Sequence, residues 1–442
     1  MKVIEGIRPI KEGIRINDNN QYAEAEGFVH RVRDMGKFSF IVLRTSRNLI
    51  QCVVDSEKCE IAKTGVGNGI NEGDCVRITG IKVIEPRAEG GFEIHANKIE
   101  KLSQAYAQPP VNITKHKIDS SLDVLLENRP VTLRHPKERA IFKIQEGIVR
   151  AFREFLHEHD FTEIHTPKTT SAGAEGGANI FKLDYFGQSA CLAQSPQLYK
   201  QTMVGVFGRV FEVGPVFRAE KHNTTRHLNE YISLDVEMGF INGMEDLMNL
   251  EVLMLRHIIQ SLKENYSKEL DMLKAELPDI GNVPVYKFKE AKELLAKEYN
   301  RKIGGNGDLD PEEEVLLCRY AKEKHDSEFI FITHFPSSRR PFYAMDDADD
   351  PGFALSFDLL FRGLEITTGG QRIHDYNAQV EKMQRMGLDP SEFKHYLLIH
   401  KHGMPPHGGF GLGLERLEMQ LLGFNNIRYA SLFPRDVKRI AP

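Results

Sequence analysis

The amino-terminal part of the chain alternates apolar and polar residues in short runs that Gly, Asn and Asp separate. The runs lie between about residues 21 and 104 and read "AEAEGFVHRV", "KFSFIVLRT", "LIQCVVD", "DCVRITGIKVI" and "GFEIHANKIEKL". Alternation with a period of two is typical of strands that bury one face. Roughly five short strands without a long helical period predict a small closed barrel of the OB type, which we assign to residues 1–107.

A stretch without a clear period follows the predicted barrel. Its sequence, "SQAYAQPPVNITKHKIDSSLDVLLENRPVTLRHP", contains four prolines. The prolines and the loss of period indicate a linker with a helical turn in it, which we place at residues 108–136.

The pattern becomes helical at residue 137. Through "KERAIFKIQEGIVRAFREFLHEHD" apolar residues recur at steps of three and four, namely Ile141, Ile144, Ile148, Phe152 and Phe155. This spacing predicts an amphipathic helix. The next run, "FTEIHTPKTT", reads as a strand that ends at Pro167.

The rest of the chain separates strands from helices instead of alternating them. Runs typical of strands are "ACLAQS", "RVFEVGPVFRAE" and "EYISLDVEMGF" and, after a helix-rich insertion at about 245–326, "FIFITHFP", "PFYAMD" and "ALSFDLLFRGLEITTGGQRI". This order predicts an α+β domain around an antiparallel sheet at residues 137–442, not a doubly wound nucleotide fold. The GxxxxGK[ST] motif of phosphate-binding loops is also missing from the sequence.

Composition narrows the class of protein. The 442 residues are 41% apolar, which is ordinary for a globular protein. The sequence contains neither a run of about 18 apolar residues nor an apolar amino-terminal signal, so we expect a cytoplasmic protein without a membrane partner. The five cysteines form no CxxC pair, and we expect reduced thiols and no zinc site or disulfides.

The net charge of −5 argues against a surface that coats nucleic acid, and we expect no DNA partner. Any RNA contact must therefore be local. A candidate patch lies in residues 30–51, where Asp34 is the one acid among five cations, Arg31, Arg33, Lys37, Arg44 and Arg47.

Three polar clusters interrupt the apolar runs of the second domain. The first, "VFRAEKHNTTRHLNEYISLDVEM" at 216–238, places a charged loop between two predicted strands. Arg226 and His227 in that loop could wrap a polyanion, although a solvated hairpin tip whose charges pair with each other is the alternative.

The second and third clusters lie nearer the carboxyl terminus. Glu365, Thr368 and Arg372 fall near the end of a strand and combine oxygen ligands suited to Mg²⁺ with a planar fork for a carboxylate or phosphate. A structural salt bridge would also explain them. The third cluster, "MPPHGGFGLGLERLEMQLLG", is a glycine-rich entry into a helix, where backbone can approach a ligand or simply pack closely.

Together these clusters resemble the class II aminoacyl-tRNA synthetases. "FRAE" followed by "TTRHLNE" is similar to the second signature motif of that class, and "GLGLER" to the third. "FTEIHTPK" resembles the first motif, which builds the dimer interface in this class. "AEGGANIF" and "LAQSPQLYKQ" are similar to the aspartyl-tRNA synthetase subgroup of archaeal and eukaryotic type. The resemblance covers essentially the whole chain and implies an ATP-dependent aspartate–tRNA ligase that acts as a homodimer.

The resemblance assigns catalysis and ATP binding to Arg218 on the α-phosphate, Glu365 on Mg²⁺ and Arg416 on the adenine face. Thr368 would share the Mg²⁺ ion, where the family usually has Ser. The remaining residues assigned to ATP are Glu220 at the adenine amino group, Arg226 and His227 at the γ-phosphate, and Leu228 and Gly413. Such catalysis depends on positioning and charge, without a covalent nucleophile from the protein.

The resemblance also supplies an aspartate pocket. Lys200 and Arg372 would meet the side-chain carboxylate, and asparaginyl enzymes tend to carry an acid where Lys200 stands. Asp235 would help to hold the α-ammonium group. The other residues assigned to aspartate are Glu175, Gln197, Arg218 and Thr368.

In the predicted barrel the resemblance implies contacts to the tRNA anticodon. Phe40 and Gln51 fall where relatives stack on and hydrogen-bond to bases, although alternation in "FSFIVL" also permits Phe40 as a core aromatic. Arg33 belongs to the same set. His30 stands where selective archaeal-type enzymes carry Trp, and Glu89 where they tend to have Lys. We hypothesise that this enzyme charges tRNA-Asn as well as tRNA-Asp.

Three other functions fit parts of the pattern. An asparagine–tRNA ligase shares most motifs, but Lys200 counts against it. An ATP-dependent aspartate-amidating enzyme would not need the predicted barrel. A paralogue that binds RNA without catalysis would not need to keep Arg218, Glu365, Arg372 and Arg416.

Overall fold

The structure, a computed structural model, describes residues 14–16, 21–46, 48–55, 57–62, 69–171, 179–302 and 307–441. It divides into two compact units, Met1–His135 and Pro136–Pro442. The predicted borders of the barrel, the linker and the catalytic domain remain predictions. No helix in the described part of the chain is long and apolar enough to cross a bilayer.

The first unit is a closed barrel. Its strands are β1 (Ile14–Ile16), β2 (Tyr22–Asp34), β3 (Phe38–Arg44), β4 (Leu49–Asp55), β5 (Glu60–Ala62), β6 (Cys75–Ile84) and β7 (Phe92–Ser103). Pairing runs from β2 through β3, β4, β7 and β6 back to β2. Alternate residues such as Ile41, Leu43 and Cys52 fill the interior. The five longer strands are the five that the sequence predicts, and the OB-type fold is confirmed.

Two short helices follow the barrel within the first unit. They are α1 (Leu122–Glu127) and α2 (Arg129–Thr132). Ser121 caps α1 by accepting a hydrogen bond from Val124 N, and Pro130 stands in the first turn of α2, where a missing N–H costs nothing. The helical turn expected between the two domains is thus a pair of short helices.

The second unit is built around one eight-stranded sheet. The strands of this unit are β8 (Thr162–Glu163), β9 (Thr169–Thr170), β10 (Lys182–Tyr185), β11 (Gln188–Leu192), β12 (Arg209–Phe217), β13 (Glu230–Gly239), β14 (Val285–Lys287), β15 (Phe329–Thr333), β16 (Ser356–Phe361), β17 (Leu364–Arg372) and β18 (His407–Gly413). The sheet order is β14-β15-β16-β17-β18-β13-β12-β8, and only its two outermost pairs are parallel. β9, β10 and β11 form a separate small sheet.

The helices of the second unit are α3 (Pro136–Glu158), α4 (Gln197–Phe207), α5 (Met244–Asn265), α6 (Ser267–Leu273), α7 (Phe288–Tyr299), α8 (Pro311–His325), α9 (Tyr376–Arg385), α10 (Lys394–Lys401) and α11 (Leu414–Leu421). α3, α5 and α11 bury their apolar stripes against one face of the sheet, where Phe211, Leu234 and Phe410 lie in the main core. On the other face, α7 and α8 pack against Ile330, Ile332 and Leu360 of β15 and β16, and the remaining part of that face borders a cavity. The predicted α+β class with an antiparallel sheet is confirmed.

Two predicted segments differ in the structure. "HGGFGLG", which reads as a glycine-rich turn, is the central strand β18. A Cβ on Gly409 would lie 2.1 Å from Val236 O and 2.2 Å from a Glu237 carboxylate oxygen, so only glycine leaves room for the neighbouring strand and its side chain. "PFYAMD" was expected to be a strand, but it forms turns with isolated bridges such as Ala344 to Arg372.

Candidate active site

A cavity of about 480 Å³ opens on the face of the sheet opposite the helices α3 and α5. It collects residues that lie far apart in the sequence. The predicted site residues that line it are Gln197, Lys200, Arg218, Glu220, Arg226, His227, Leu228, Asp235, Glu365, Thr368, Arg372, Gly413 and Arg416. Glu175, the remaining predicted residue of this site, lies outside the described residues.

Strand alternation explains how β13 serves both faces of the sheet. Ser233 and Asp235 line the cavity, whereas Leu234 and Val236 lie in the apolar core. The same period of two places Gly411 of β18 directly beside Asp235. The alternation in "ISLDVEM" therefore gives β13 a polar face toward the cavity and an apolar face toward the core.

A bulge in β17 brings Glu365 and Thr368 to the same face. Thr367 pairs with Leu359 and Glu365 with Leu360, so Ile366 is an extra residue in β17. In a regular strand, the side chains of residues three apart, such as 365 and 368, point to opposite faces of the sheet. The extra residue Ile366 shifts the alternation by one, so Glu365 and Thr368 point to the same face. As a result, Thr368 Oγ1 donates a hydrogen bond of 2.8 Å to Glu365 Oε1.

One end of the cavity holds four buried charges. Lys200 Nζ lies 2.9 Å from Asp235 Oδ1 and 3.2 Å from Glu237 Oε2. Arg372 Nε lies 3.0 Å from the other oxygen of Glu237. Lys200 also donates to the carbonyl oxygens of Val236 and Phe410, which fixes its ammonium group at the sheet. Two cations and two acids therefore balance each other, away from water.

Glu237 is the central acid of this end, and the sequence prediction missed it. It is fully buried and contacts both Lys200 and Arg372. Burial alone would raise the pKa of Glu237, but Arg372 and Lys200 outweigh burial and lower the pKa, so the group is ionised. Its position two residues after Asp235 on the same strand is the signal that could have revealed it.

The other end of the cavity combines two arginines, Arg416 and Arg340, with three acids. Arg416, in the first turn of α11, donates from Nη1 to the Glu365 carbonyl oxygen at 2.9 Å, and the same nitrogen lies 3.6 Å from Glu365 Oε1. Glu314 of α8 accepts a hydrogen bond from Glu365 N. Asp358 pairs with Arg340, which also lines the cavity. The sequence prediction missed Glu314, Asp358 and Arg340, because each joins the site only through long-range contacts.

The electrostatics of this end favour an ionised Glu365. Burial raises the pKa of Glu365, but Arg416 and the hydrogen bond from Thr368 reverse the shift, and the pKa is lowered. Burial raises the pKa of Asp358 to about 7, although Arg340 opposes the rise. One carboxylate is thus ionised near neutral pH beside a second that is easily protonated.

The described residues fit a magnesium ion at Glu365 and Thr368. A carboxylate and a hydroxyl 2.8 Å apart offer hard oxygen donors on the same face of β17. No group of three or more His, Cys, Asp or Glu side chains in the described part of the chain could hold a metal. Two protein donors suit Mg²⁺, which keeps water and substrate phosphate as its other ligands.

The loop between β12 and β13 is tightly anchored. Arg218 N donates to Asn229 O, and the Asn229 side chain donates back to the carbonyl oxygens of Arg218 and Glu220. His227 lies 4.0 Å from Glu220 and hydrogen-bonds to Thr224. Burial and Arg416 lower the pKa of His227, so its ring is neutral near pH 7. The loop therefore presents its side chains from a fixed backbone.

The barrel has a polar outer face on β2, β3 and β4. Arg33 pairs with Phe40, and Val42 pairs with Gln51 two residues further along the same face. Arg33 is exposed and Phe40 is partly exposed, while Ile41 next to it is in the core. Phe40 lies outside the core cluster of the described barrel residues, which disfavours its reading as a core aromatic.

The other two predicted anticodon residues lie elsewhere on the barrel. His30 sits at a break in register between β2 and β3, and it is buried, with its ring 3.3 Å from Arg44 Nη1. Its burial is unlike what a base-contacting residue needs. Glu89 is exposed in the turn between β6 and β7. Gln51 donates to Glu93 at 2.9 Å.

Comparisons with known proteins agree with this geometry. Residues 121–437 match the family model "tRNA synthetases class II (D, K and N)", and residues 24–102 match "OB-fold nucleic acid binding domain". The chain is 47% identical over 423 residues to an aspartate–tRNA(Asp/Asn) ligase of Thermus thermophilus, covering 96% of this chain and 97% of the relative. It is 42% identical over 426 residues to an aspartate–tRNA(Asp) ligase of Pyrococcus abyssi, with the same coverage of each chain.

Solved structures show the same architecture. Asparaginyl-tRNA synthetase from Pyrococcus horikoshii, complexed with asparaginyl-adenylate, superposes with a TM-score of 0.86 at 31% identity. The match covers 95% of this chain and 96% of that structure. Relatives named for aspartate and relatives named for asparagine thus share this fold. The difference between the two amino acids must therefore be recognised by side chains of the cavity.

Proposed function

Because the chain belongs to the class II (D, K and N) tRNA synthetases, we propose that it is an aspartate–tRNA ligase. The enzyme would first form aspartyl-adenylate from aspartate and ATP and would then transfer the aspartyl group to tRNA. The first reaction joins a carboxylate to the α-phosphate of ATP, two anions that repel each other. The site must therefore neutralise charge and align the reacting groups, which the anchored cations of the cavity are suited to do.

The observation that carries the choice of aspartate is the pair of buried cations at one end of the cavity. Lys200 and Arg372 lie within 3.2 and 3.0 Å of the two oxygens of Glu237, so both reach one small volume. A substrate carboxylate would find a fork and an ammonium group there, already oriented. An amide would accept only weaker hydrogen bonds from these two cations than the charge-assisted bonds that a carboxylate accepts. This arrangement favours aspartate over asparagine.

The remaining residues are assigned by their place in the cavity. Asp235 would accept the substrate ammonium group with Gln197, and Arg218 would hold the reacting carboxylate against the α-phosphate. Arg416 would lie on the adenine, and Glu220 would accept from the adenine amino group. Arg226 and His227 would face the terminal phosphates. Arg218 and Arg226 would thereby stabilise the charge that develops as pyrophosphate leaves.

Glu365 and Thr368 would hold Mg²⁺. When bound, the ion neutralises phosphate charge and orients the leaving pyrophosphate. The chain itself keeps Glu365 ionised through Arg416 and the Thr368 hydroxyl. Thr in place of Ser keeps the oxygen donor, so we expect no loss of the site.

We further propose that the outer face of the barrel binds the anticodon and accepts both tRNA-Asp and tRNA-Asn. Arg33, Phe40 and Gln51 on one face suit single-stranded RNA, which such barrels hold by stacking and charge. His30 is buried, so no bulky side chain projects from the position where selective relatives carry Trp. We also propose that the enzyme is a cytoplasmic homodimer that contacts its copy near Pro167.

Charging of purified tRNA-Asp and tRNA-Asn transcripts with radiolabelled aspartate tests this function. We expect aspartate on both transcripts. Charging of tRNA-Asp alone would reject the relaxed specificity, and charging of neither, with all substrates present, would reject the ligase. Light scattering of the same preparation would reject the dimer if it gave the mass of one chain.

A further inference from the structure

One buried acid of the helical insertion joins two parts of the cavity. Glu314 lies in the first turns of α8 and is 6% exposed. Its Oε2 atom accepts a hydrogen bond from Arg226 Nη2 at 2.5 Å and another from Glu365 N at 2.9 Å. A single carboxylate oxygen therefore links the arginine of the β12–β13 loop to the strand that carries Glu365.

Glu314 holds Arg226 by only one edge of its guanidinium group. Arg226 lines the cavity, and its Nε atom is buried without a hydrogen-bond partner among the described residues. A buried N–H without an acceptor is costly unless a ligand completes it. The planar fork can hold a carboxylate at one nitrogen and offer its other donors to an anion.

The backbone of the loop does not need this contact. Arg428 donates to Thr224 O and to the Asn223 side chain, and Ile427 N donates to Thr225 O. These bonds hold the backbone of the loop against the segment that follows α11. The contact with Glu314 therefore acts on the direction of the Arg226 side chain and not on the path of the chain.

We propose that Glu314 is a positioning residue that holds Arg226 ready for the terminal phosphates of ATP. This inference rests on the proposed function, since it takes ATP as the ligand. It makes α8, an element of the insertion, part of the nucleotide site. Because one oxygen accepts both hydrogen bonds, a glutamine could replace the acid without loss of geometry.

In the opposite role, the Glu314 carboxylate would compete with the phosphates of ATP for Arg226, and ATP would have to displace it. The two roles differ in the effect of charge. If Glu314 competes, Glu314→Gln should bind ATP more tightly than the unmodified chain. If Glu314 positions Arg226, Glu314→Gln should bind ATP within about threefold of the unmodified chain, and Glu314→Ala should bind on the order of tenfold more weakly.

Calorimetric titration with MgATP, without aspartate or tRNA, tests this role. Glu313→Ala is the matched control, because Glu313 is also buried on α8 but pairs at 2.6 Å with Lys292, which does not line the cavity, whereas Glu314 contacts the lining residues Arg226 and Glu365. We expect the control to lose thermal stability and keep its ATP affinity. A second comparison combines Glu314→Ala with Arg226→Ala. We expect the double variant to bind ATP less than about twofold more weakly than Arg226→Ala alone.

The proposal is overturned if Glu314→Ala binds ATP as the unmodified chain does, if Glu314→Gln binds more tightly, or if Glu313→Ala weakens binding equally. Additive losses in the double variant would also overturn it. A failure of the proposed function would look different, since ATP would bind but no aspartate would reach tRNA.

Discussion

The cavity of the second unit and the outer face of the barrel, which we propose to bind anionic ligands, are exposed to water to very different degrees. Lys200 is 1% exposed and Glu237 is fully buried, and each is held by charged partners. On the barrel, Arg33 is exposed and Phe40 partly exposed. Under the proposed function, a small charged substrate would meet fixed, desolvated charges in the cavity, whereas RNA would meet charges on the barrel that water screens.

This difference determines how much one side chain can matter. Removing one partner of a buried pair leaves an uncompensated charge, which costs several kcal/mol. Removing one exposed charge costs about 1 kcal/mol or less, because water and salt screen it. Substitutions in the cavity should therefore change activity by orders of magnitude, and those on the barrel by smaller factors.

The largest effect is expected from Lys200→Leu. Loss of the ammonium group removes the proposed contact to the substrate carboxylate and leaves Asp235 and Glu237 with one cation fewer. We expect kcat/KM for aspartate in pyrophosphate exchange to fall by roughly 1,000-fold, with ATP affinity nearly unchanged. Unchanged aspartate kinetics would refute the pocket assignment.

A buried lysine of the other unit provides the control for this variant. Lys101 is also buried and lies 3.0 Å from the buried Asp74 of the barrel. Lys101→Leu breaks a buried ion pair of the first unit, so we expect lower stability of the barrel and unchanged aspartate activation. Equal losses in both variants would mean that Lys200 acts through folding alone.

Another buried acid of the second unit sharpens the contrast, because none of the described residues places a cation beside it. Glu251 of α5 is fully buried near Thr367 of β17 and Asp358 of β16, and burial raises its pKa to about 8. Its folded pKa exceeds the unfolded value, so its contribution to stability is complete below about pH 4.5 and is lost as pH rises toward 8.

Urea unfolding at several pH values tests this shift. We expect the stability of Glu251→Gln relative to the unmodified chain to rise by up to about 1 kcal/mol per pH unit between pH 5 and 8 and then level off. Glu264→Gln, at an exposed position of the same helix, should show no such trend. A difference that stays constant with pH would show that Glu251 titrates normally.

A smaller effect is expected from Phe40→Ala on the barrel. Loss of one stacking ring should weaken tRNA binding by about 10-fold and leave aspartate activation unchanged. Tyr22→Ala serves as control, because Tyr22 is a 47% exposed aromatic at the opposite end of β2 from Arg33. Filter binding that gave equal losses for both variants would contradict the assigned RNA face.

The smallest effect is expected from Arg33→Gln. One phosphate contact fewer should weaken tRNA binding by a few-fold at moderate salt and lower the slope of log Kd against log salt by about 0.7. Arg15→Gln, at an exposed residue paired with Glu24, should leave the slope unchanged. A salt dependence that is the same for all three chains would remove Arg33 from the interface.

Much of the fold was predictable from local alternation. The five long barrel strands and the helix α3 have clear periods, because each buries a single face. β18 was missed as a strand, since its glycines have no side chains to alternate. The glycine at position 409 is explained by the neighbouring strand β13, because a side chain there would collide with Glu237.

The cavity residues were predictable to the extent that they lie in recognisable motifs. Asp235 and Arg372 could be assigned in this way, but Glu314 could not, because it meets Arg226 and Glu365 only across the folded sheet. The burial of His30 could not be predicted from the sequence either, because it depends on a break in register between β2 and β3. Contacts between distant segments leave no period in the sequence.

Amino-acid-dependent pyrophosphate exchange with the unmodified chain most directly tests whether Lys200 and Arg372 select a carboxylate substrate. Aspartate and asparagine are compared at equal MgATP, without tRNA. We predict that kcat/KM for aspartate exceeds that for asparagine by at least about 100-fold. Equal exchange with both amino acids, or a preference for asparagine, would contradict the selection of aspartate by these two buried cations.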